Sequence, residues 1–216
     1  IFGLINTQIA YSMTIAHANA PTATVLQYLS PAMIIIYFAV RQKEWPRRID
    51  VLTVIVSMIG AYLLMTNGNF HTLKLSPTAC WLGIETAFGA TCYTLIPRHL
   101  VARFDTRAVM GLAMTVGGII MLPILITTPF PHVSAWDWFL IIYTAICGTM
   151  LAYSFYIASL RYISAGLTGV LGVFEPLVAT LLAVAFLGTT FGWVQVVGGI
   201  LILTITIVQA WPSTNS

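Results

Sequence analysis

Apolar stretches alternate with short polar links along the whole chain, with apolar runs near 1–18, 22–40, 50–66, 77–97, 107–128, 138–160, 165–187 and 190–210. A helix needs ~20 mostly apolar residues to cross the hydrocarbon core of a bilayer. The pattern therefore predicts an all-α, polytopic membrane helix bundle with about eight transmembrane helices. The links near 17–22, 41–50, 67–76, 98–107 and 127–137 are too short to fold as separate soluble domains.

Composition agrees. Of 216 residues, 59% are hydrophobic and 7% charged, whereas soluble domains carry roughly 25% charged residues to face water. The basic residues then set the orientation. If the first run starts on the cytoplasmic side, the inner links hold Arg41, Lys43, Arg47, Arg48, Arg98, Arg103, Arg107 and Arg161, and the outer links hold only Lys74. Positive charge collects on the cytoplasmic side of membrane proteins. The expectation is a multi-pass protein of the cell membrane with both ends of this chain cytoplasmic. Trp45, Trp81, Trp136, Trp138, Trp193 and Trp211 fall at or near run ends, as interfacial aromatics should.

Other chemistries find little support. Cys80, Cys92 and Cys147 sit in apolar runs without metal-ligand or disulfide spacing, and they read as packing residues. His71, His99 and His132 read as incidental link residues. No Walker loop, metalloprotease helix or nucleophile elbow occurs. The reading is a non-enzyme with no cofactor, no metal and no nucleic-acid partner; its partners are the lipid bilayer and a small-molecule solute.

Two stretches resemble each other. Ile9-Ala-Tyr-Ser12 leads into a helix with Leu29-Ser-Pro31, and Leu151-Ala-Tyr-Ser154 leads into one with Phe174-Glu-Pro176. The first helix thus matches the sixth. An odd offset of five makes the copies opposite in orientation, the inverted repeat of many secondary transporters. On this reading two further helices precede Ile1, for ten in the full-length protein. Pro31 and Pro176 are expected to kink their helices, since proline removes a backbone donor.

The segment from Ala20-Pro-Thr to Tyr28-Leu-Ser-Pro31, together with Glu44, Gly60 and Phe174-Glu-Pro-Leu177, resembles the EamA-type drug/metabolite transporter superfamily. The resemblance implies a first repeat unit over 1–66, truncated at its start, and a second over 67–216, with helices at 77–210. It implies a ten-helix basket around a central cavity and movement of small metabolites. The first unit keeps an acid after its penultimate helix in Arg41-Gln-Lys-Glu44; the second has Gly188-Thr-Thr190 and departs from that pattern.

Two acids lie deep in the runs. Glu175 is the eleventh residue of the 165–187 run, and Glu85 is the ninth of the 77–97 run. An ionised side chain at the bilayer centre costs at least ~2.5–3.5 kcal/mol on insertion scales. Each Glu is therefore protonated or faces a wet cavity, which makes both candidates for substrate binding or proton coupling. For Glu175 a mechanical alternative exists, in which a neutral carboxyl donates to the carbonyl that Pro176 frees. Gln8, Tyr11 and Ser12 share one helical face at i, i+3, i+4. With Gln27, Tyr28 and Ser30 in the second helix and Thr149, Tyr153 and Tyr156 in the sixth, they supply uncharged donors and acceptors for a cavity lining; the alternative is that such groups merely join helices. Gly83, Gly89, Gly111, Gly117, Gly118, Gly169, Gly172, Gly198 and Gly199 read as close-packing positions. The function expected is a secondary transporter moving a small metabolite or drug-like solute by alternating access, with proton coupling through these acids. A non-transporting membrane scaffold or receptor is the alternative.

Overall fold

The computed structural model describes residues 2–127, 134–188, 190 and 192–210. Every regular element among them is helical, and no strand forms there. In chain order they are α1 (Phe2–His17), α2 (Ala20–Gln27), α3 (Ser30–Gln42), α4 (Arg48–Thr66), α5 (Pro77–Val101), α6 (Thr106–Thr127), α7 (Ala135–Tyr143), α8 (Ala152–Ser159), α9 (Ala165–Leu171), α10 (Phe174–Leu187) and α11 (Trp193–Ala210). A short 3-10 turn at Phe70–Thr72 precedes α5, and a π-helical segment, Thr144–Leu151, joins α7 to α8. Taking α2–α3, α7–α8 and α9–α10 each as one interrupted stretch gives eight helical stretches, the number expected from the apolar runs.

Five of these are long and apolar enough to cross a bilayer: Ala20–Gln42, Arg48–Thr66, Thr106–Thr127, Ala135–Ser159 and Ala165–Phe186. α1 has 16 residues, and the apolar part of α11, Trp193–Val208, is as short. α5 has 25 residues but a more polar face: Ala79, Gly83, Thr86, Ala87, Ala90, Thr91 and Thr94 are buried along one side of it. Small and polar side chains belong on helix faces that meet protein rather than lipid. α5 also runs past Pro97 to Val101, so Arg98 and His99 stand in its last turn and not in a link. Trp45, Trp81, Trp136, Trp138 and Trp193 are all exposed; Trp211 and His132 lie outside the described residues.

The chain divides into two compact units, one of residues 93–163 and one of residues 2–92 with the chain from 164 onward. In the second, α4 packs along α11. A Cβ on Gly198 would lie 2.7 Å from the Gly60 carbonyl oxygen and 2.9 Å from the Leu64 nitrogen, so the two backbones approach in a way only glycine permits. Tyr28, Ala61, Leu64, Val173, Leu177 and Ile202 form the buried core beside this crossing. Gly83 admits the Leu26 side chain of α2 and Gly89 admits Thr7 of α1. Gly111 and Gly118, expected to pack closely, have open space where a Cβ would stand, because α6 turns those positions away from any neighbour among the described residues.

Links at one end of this unit are joined by hydrogen bonds. Asn19 caps α2 by accepting from the Thr22 N–H at 2.9 Å, and its Nδ2 donates to the Thr72 carbonyl at 2.8 Å. The Lys74 N–H donates to Thr22 Oγ1 at 3.0 Å, and Gln195 Nε2 donates to the Leu64 carbonyl at 2.9 Å. The α1–α2 link and the α4–α5 link thus lie together, as two links on one side of a membrane would. Most buried hydroxyls answer to their own helix: Thr7, Thr14, Ser57, Thr86, Thr91 and Thr206 each donate to the carbonyl four residues back. For these residues the structural role prevails.

In the 93–163 unit, α6 packs along α8. Ser134 and Asp137 cap α7 reciprocally. Arg161 closes the end of α5, donating from Nε to the Val101 carbonyl at 2.6 Å and from Nη2 to the Phe104 carbonyl at 2.9 Å.

One local pattern occurs twice, at a constant offset of 145 residues. Asn19 and Ser164 cap α2 and α9. Pro31 and Pro176 stand just inside α3 and α10 after a break. Lys43 (φ 54°) and Gly188 (φ 67°) end those helices in the left-handed region, and α4 and α11 begin at Arg48 and Trp193.

Candidate functional site

The two breaks meet. α2 ends at Gln27, and the chain passes through Tyr28 and Leu29 before α3; α9 ends at Leu171, and the chain passes through Gly172 and Val173 before α10. Tight turns bridge each gap, with Leu29 N–H donating to Leu26 (3.1 Å) and Val173 N–H to Val170 (3.1 Å). Proline accounts for the break. Pro176 has no N–H to give the Gly172 carbonyl four residues earlier, as an uninterrupted helix would require.

That carbonyl is nevertheless satisfied. The Glu175 N–H donates to it at 3.0 Å, and the Tyr28 hydroxyl reaches it from the other break at 3.5 Å. Tyr28 is 8% exposed, so its hydroxyl gains a partner that water cannot readily supply. The mechanical role considered for the Glu175 carboxyl, donation to the carbonyl that Pro176 frees, is thus filled by other groups. The Glu175 side chain is exposed, and it makes no hydrogen bond or ion pair among the described residues.

The Tyr28 hydroxyl joins the two breaks through that contact, and the Tyr11 hydroxyl shares a 2.9 Å hydrogen bond with Thr24 Oγ1 of α2. Glu175 stands in the first turn of α10, just past the second break, and Tyr28 lies in the first break. Gln27, the last residue of α2, is half-buried next to it in sequence, while Gln8 and Ser12 of α1 are exposed. Glu85 is half-buried on α5, and its backbone carbonyl accepts from Asn6 Nδ2 at 3.3 Å, which seats it against α1. Among the described residues no hydrogen bond joins Glu85 to Glu175.

Tyr153 and Tyr156 belong to a separate group within the 93–163 unit. Both rings meet the Tyr93 ring edge-on, each with centroids 5.5 Å apart, and Tyr156 shares a 2.9 Å hydroxyl hydrogen bond with Thr94. Edge-to-face contacts of this kind are favourable for aromatic pairs. Tyr93 and Thr94 were not candidates from sequence. Their only signal there is a pair of polar groups near the end of an apolar run, which many lipid-facing helices also show.

The model of the EamA-like transporter family matches residues 1–66 and 77–210. Over 205 residues the chain is 35% identical to an uncharacterized inner membrane transporter, YicL, of Salmonella typhimurium, spanning 94% of this chain and 68% of that protein. It is 25% identical over 169 residues to an uncharacterized transporter of Methanothermobacter thermautotrophicus, spanning 75% and 48%. With the uncharacterized transporter YxxF of Bacillus subtilis the figures are 23% over 199 residues, spanning 89% and 63%. One solved crystal structure superposes with a TM-score of 0.80 at 19% identity, over 97% of this chain and 73% of that one; at that identity it speaks for the fold alone. On the family match over both segments, this chain is a multi-pass membrane protein belonging to the EamA-like transporter family.

Proposed function

We propose that the protein is a secondary transporter that moves a small metabolite or drug-like solute across the membrane by alternating access between two inverted repeat units, with Glu175 as its proton-coupling group. The observation that carries this is the state of the Pro176 break. The carbonyl freed by proline is already taken by Tyr28 and by the Glu175 backbone, so the Glu175 carboxyl has no structural duty there. An acid of that kind inside a long apolar stretch is costly to hold, and its retention fits a functional need.

The repeated pattern at an offset of 145 residues supports the two-unit reading. Interrupted helices in corresponding positions of two halves are where transporters of this type build their solute sites. Tyr11, Tyr28 and Gln27 on one side and Glu175 on the other then line the passage, and Glu85 is a second acid along it. Units of 1–66 and 67–216 with opposite orientation, and eight membrane crossings in this chain, belong to the same proposal, as do cytoplasmic termini.

The test uses the full-length protein in liposomes with an imposed pH gradient, screened by counterflow against amino acids, nucleobases and organic cations. Glu175→Gln should abolish transport driven by the gradient while sparing exchange that moves no proton. A Gln variant with wild-type rate and pH dependence would remove Glu175 from the coupling role. Absence of any solute movement by the intact protein would favour a scaffold or receptor.

A further inference from the structure

α3 and α4 leave a recess of about 410 Å³ between them, within the ~300–1,000 Å³ of sites that hold small ligands. Every side chain lining it is apolar. On α3 the wall takes in Ala32 and Ala39, two turns apart on one face, and on α4 it runs from Val51 to Met58 at the same spacing. The two alanines leave room that a leucine at either position would fill. The recess is thus a slot roughly 10 Å long at the rise of an α-helix. Trp45 and Pro46 of the α3–α4 link stand at its mouth.

The mouth is basic. Arg41, Lys43, Arg47 and Arg48 surround it in sequence, against Glu44 and Asp50. Arg41 is committed, since it donates to the Tyr37 hydroxyl at 2.6 Å and lies over the same ring; Asp50 already has a partner. Lys43, Arg47 and Arg48 are exposed, and among the described residues no hydrogen bond or ion pair engages their side chains. Membrane orientation accounts for basic residues on this link, but not for the backbone that Lys43 adopts. Its φ of 54° lies in the left-handed region, which is costly for a residue with a side chain and suits glycine. The matching helix end, 145 residues on, holds Gly188 at φ 67°. A lysine kept where the backbone favours glycine points to a use for its ammonium group.

An apolar slot that opens at exposed cations needs a ligand with a hydrocarbon tail and a negative head. A soluble anion would leave the slot empty. A second copy of this chain would share its orientation in the membrane, so a two-fold contact here would set one basic link against the other. We propose that the recess seats an acyl chain of an anionic phospholipid, with the phosphate held at the mouth by Lys43 and Arg47. Basic segments beside membrane helices attract such headgroups. The site lies within the 2–92 part of its unit and stands whether or not the protein moves a solute.

The test counts lipid retained by the full-length protein in neutral maltoside detergent, using native mass spectrometry. Dioleoylphosphatidylglycerol, dioleoylphosphatidylcholine or glycerol 3-phosphate is added in turn. The intact protein should keep phosphatidylglycerol in preference to phosphatidylcholine, and glycerol 3-phosphate should not displace it. Lys43→Gly should lower phosphatidylglycerol retention about fivefold, the worth of one basic side chain near an anionic headgroup. Its melting temperature should stay level or rise, because glycine relieves the left-handed position. Ala39→Leu should fill the slot and bring phosphatidylglycerol down to the phosphatidylcholine level. Arg103→Gln, on another link, should leave retention unchanged. Should Lys43→Gly not accumulate, Arg47→Gln at an exposed position should give a loss of the same size. Equal retention of the two lipids, displacement by glycerol 3-phosphate, undiminished retention in these slot and mouth variants, or an equal loss in Arg103→Gln would overturn the proposal. So would a dimer that forms without lipid and is lost in Ala39→Leu.

Discussion

The Tyr28 hydroxyl reaches the Gly172 carbonyl oxygen at 3.5 Å, so the residue that ends one interrupted helix caps the carbonyl left open by the proline of the other. The bond ties together two breaks 144 residues apart in sequence. It is long, at the outer limit for a hydrogen bond.

Tyr28→Phe keeps the ring in the core and removes only this contact. An interhelical hydrogen bond within a membrane averages ~0.6 kcal/mol. Thermal unfolding in detergent should therefore fall slightly, while solute transport falls several-fold. Equal and small losses in both would make Tyr28 a packing residue alone.

The α4–α11 crossing should tolerate no side chain at Gly198. The Cβ of Gly198→Ala would meet the Gly60 oxygen at 2.7 Å, and both contacts there are backbone atoms that cannot rotate away. Overpacking of this kind costs ~1–3 kcal/mol. Gly118→Ala, where nothing lies within 4 Å, should be neutral or gain up to ~1 kcal/mol from helix propensity. Chemical unfolding of the two variants in parallel decides whether close approach, and not glycine content, is what matters.

Arg161→Ala should cost ~1.5–3 kcal/mol, because it removes charge-assisted bonds to the Val101 and Phe104 carbonyls at the end of α5. Arg161→Lys should recover part of this, since a lysine cannot span both carbonyls as a fork does. Proteolysis of the 102–105 link reports the change directly. Wild-type resistance in the Ala variant would show that α5 ends there without help.

Topology can be read by single cysteines on a background with Cys80, Cys92 and Cys147 replaced. Cysteines near Asn69 should react with an impermeant reagent added outside cells, and those near Arg47 and Arg103 should not. The inverse pattern would reverse the orientation drawn from the basic residues.

The helices themselves were legible because hydrocarbon forces apolar runs of fixed length, and the runs at 165–187 and 77–97 correspond to α9–α10 and to most of α5. Pro31 and Pro176 marked both breaks, since a missing N–H acts locally. What closes the second break was not legible. Nothing near Pro176 in the chain points to Tyr28, and a contact across 144 residues depends on packing. The glycines show the same limit. Gly83 and Gly198 face neighbours and Gly118 does not, yet all three sit in similar apolar surroundings. The Glu175 position was visible as a charge in an apolar run, whereas the tyrosine group of Tyr93, Tyr153 and Tyr156 needed two helices to be brought together.

The π-wound segment Thr144–Leu151 bears on that group. A π turn closes on the fifth residue instead of the fourth, so it takes up more residues per revolution than the 3.6 of an α-helix. Across eight residues the difference is a substantial slip in phase between α7 and α8. Tyr153 and Tyr156 therefore face a direction that counting at α-helical spacing from Ala135 would miss. α1, which carries the matching Ala10-Tyr11-Ser12, has no such segment. Rewinding the segment to α geometry would turn Tyr153 and Tyr156 about the axis as one body, a rotation for which α1 has no counterpart.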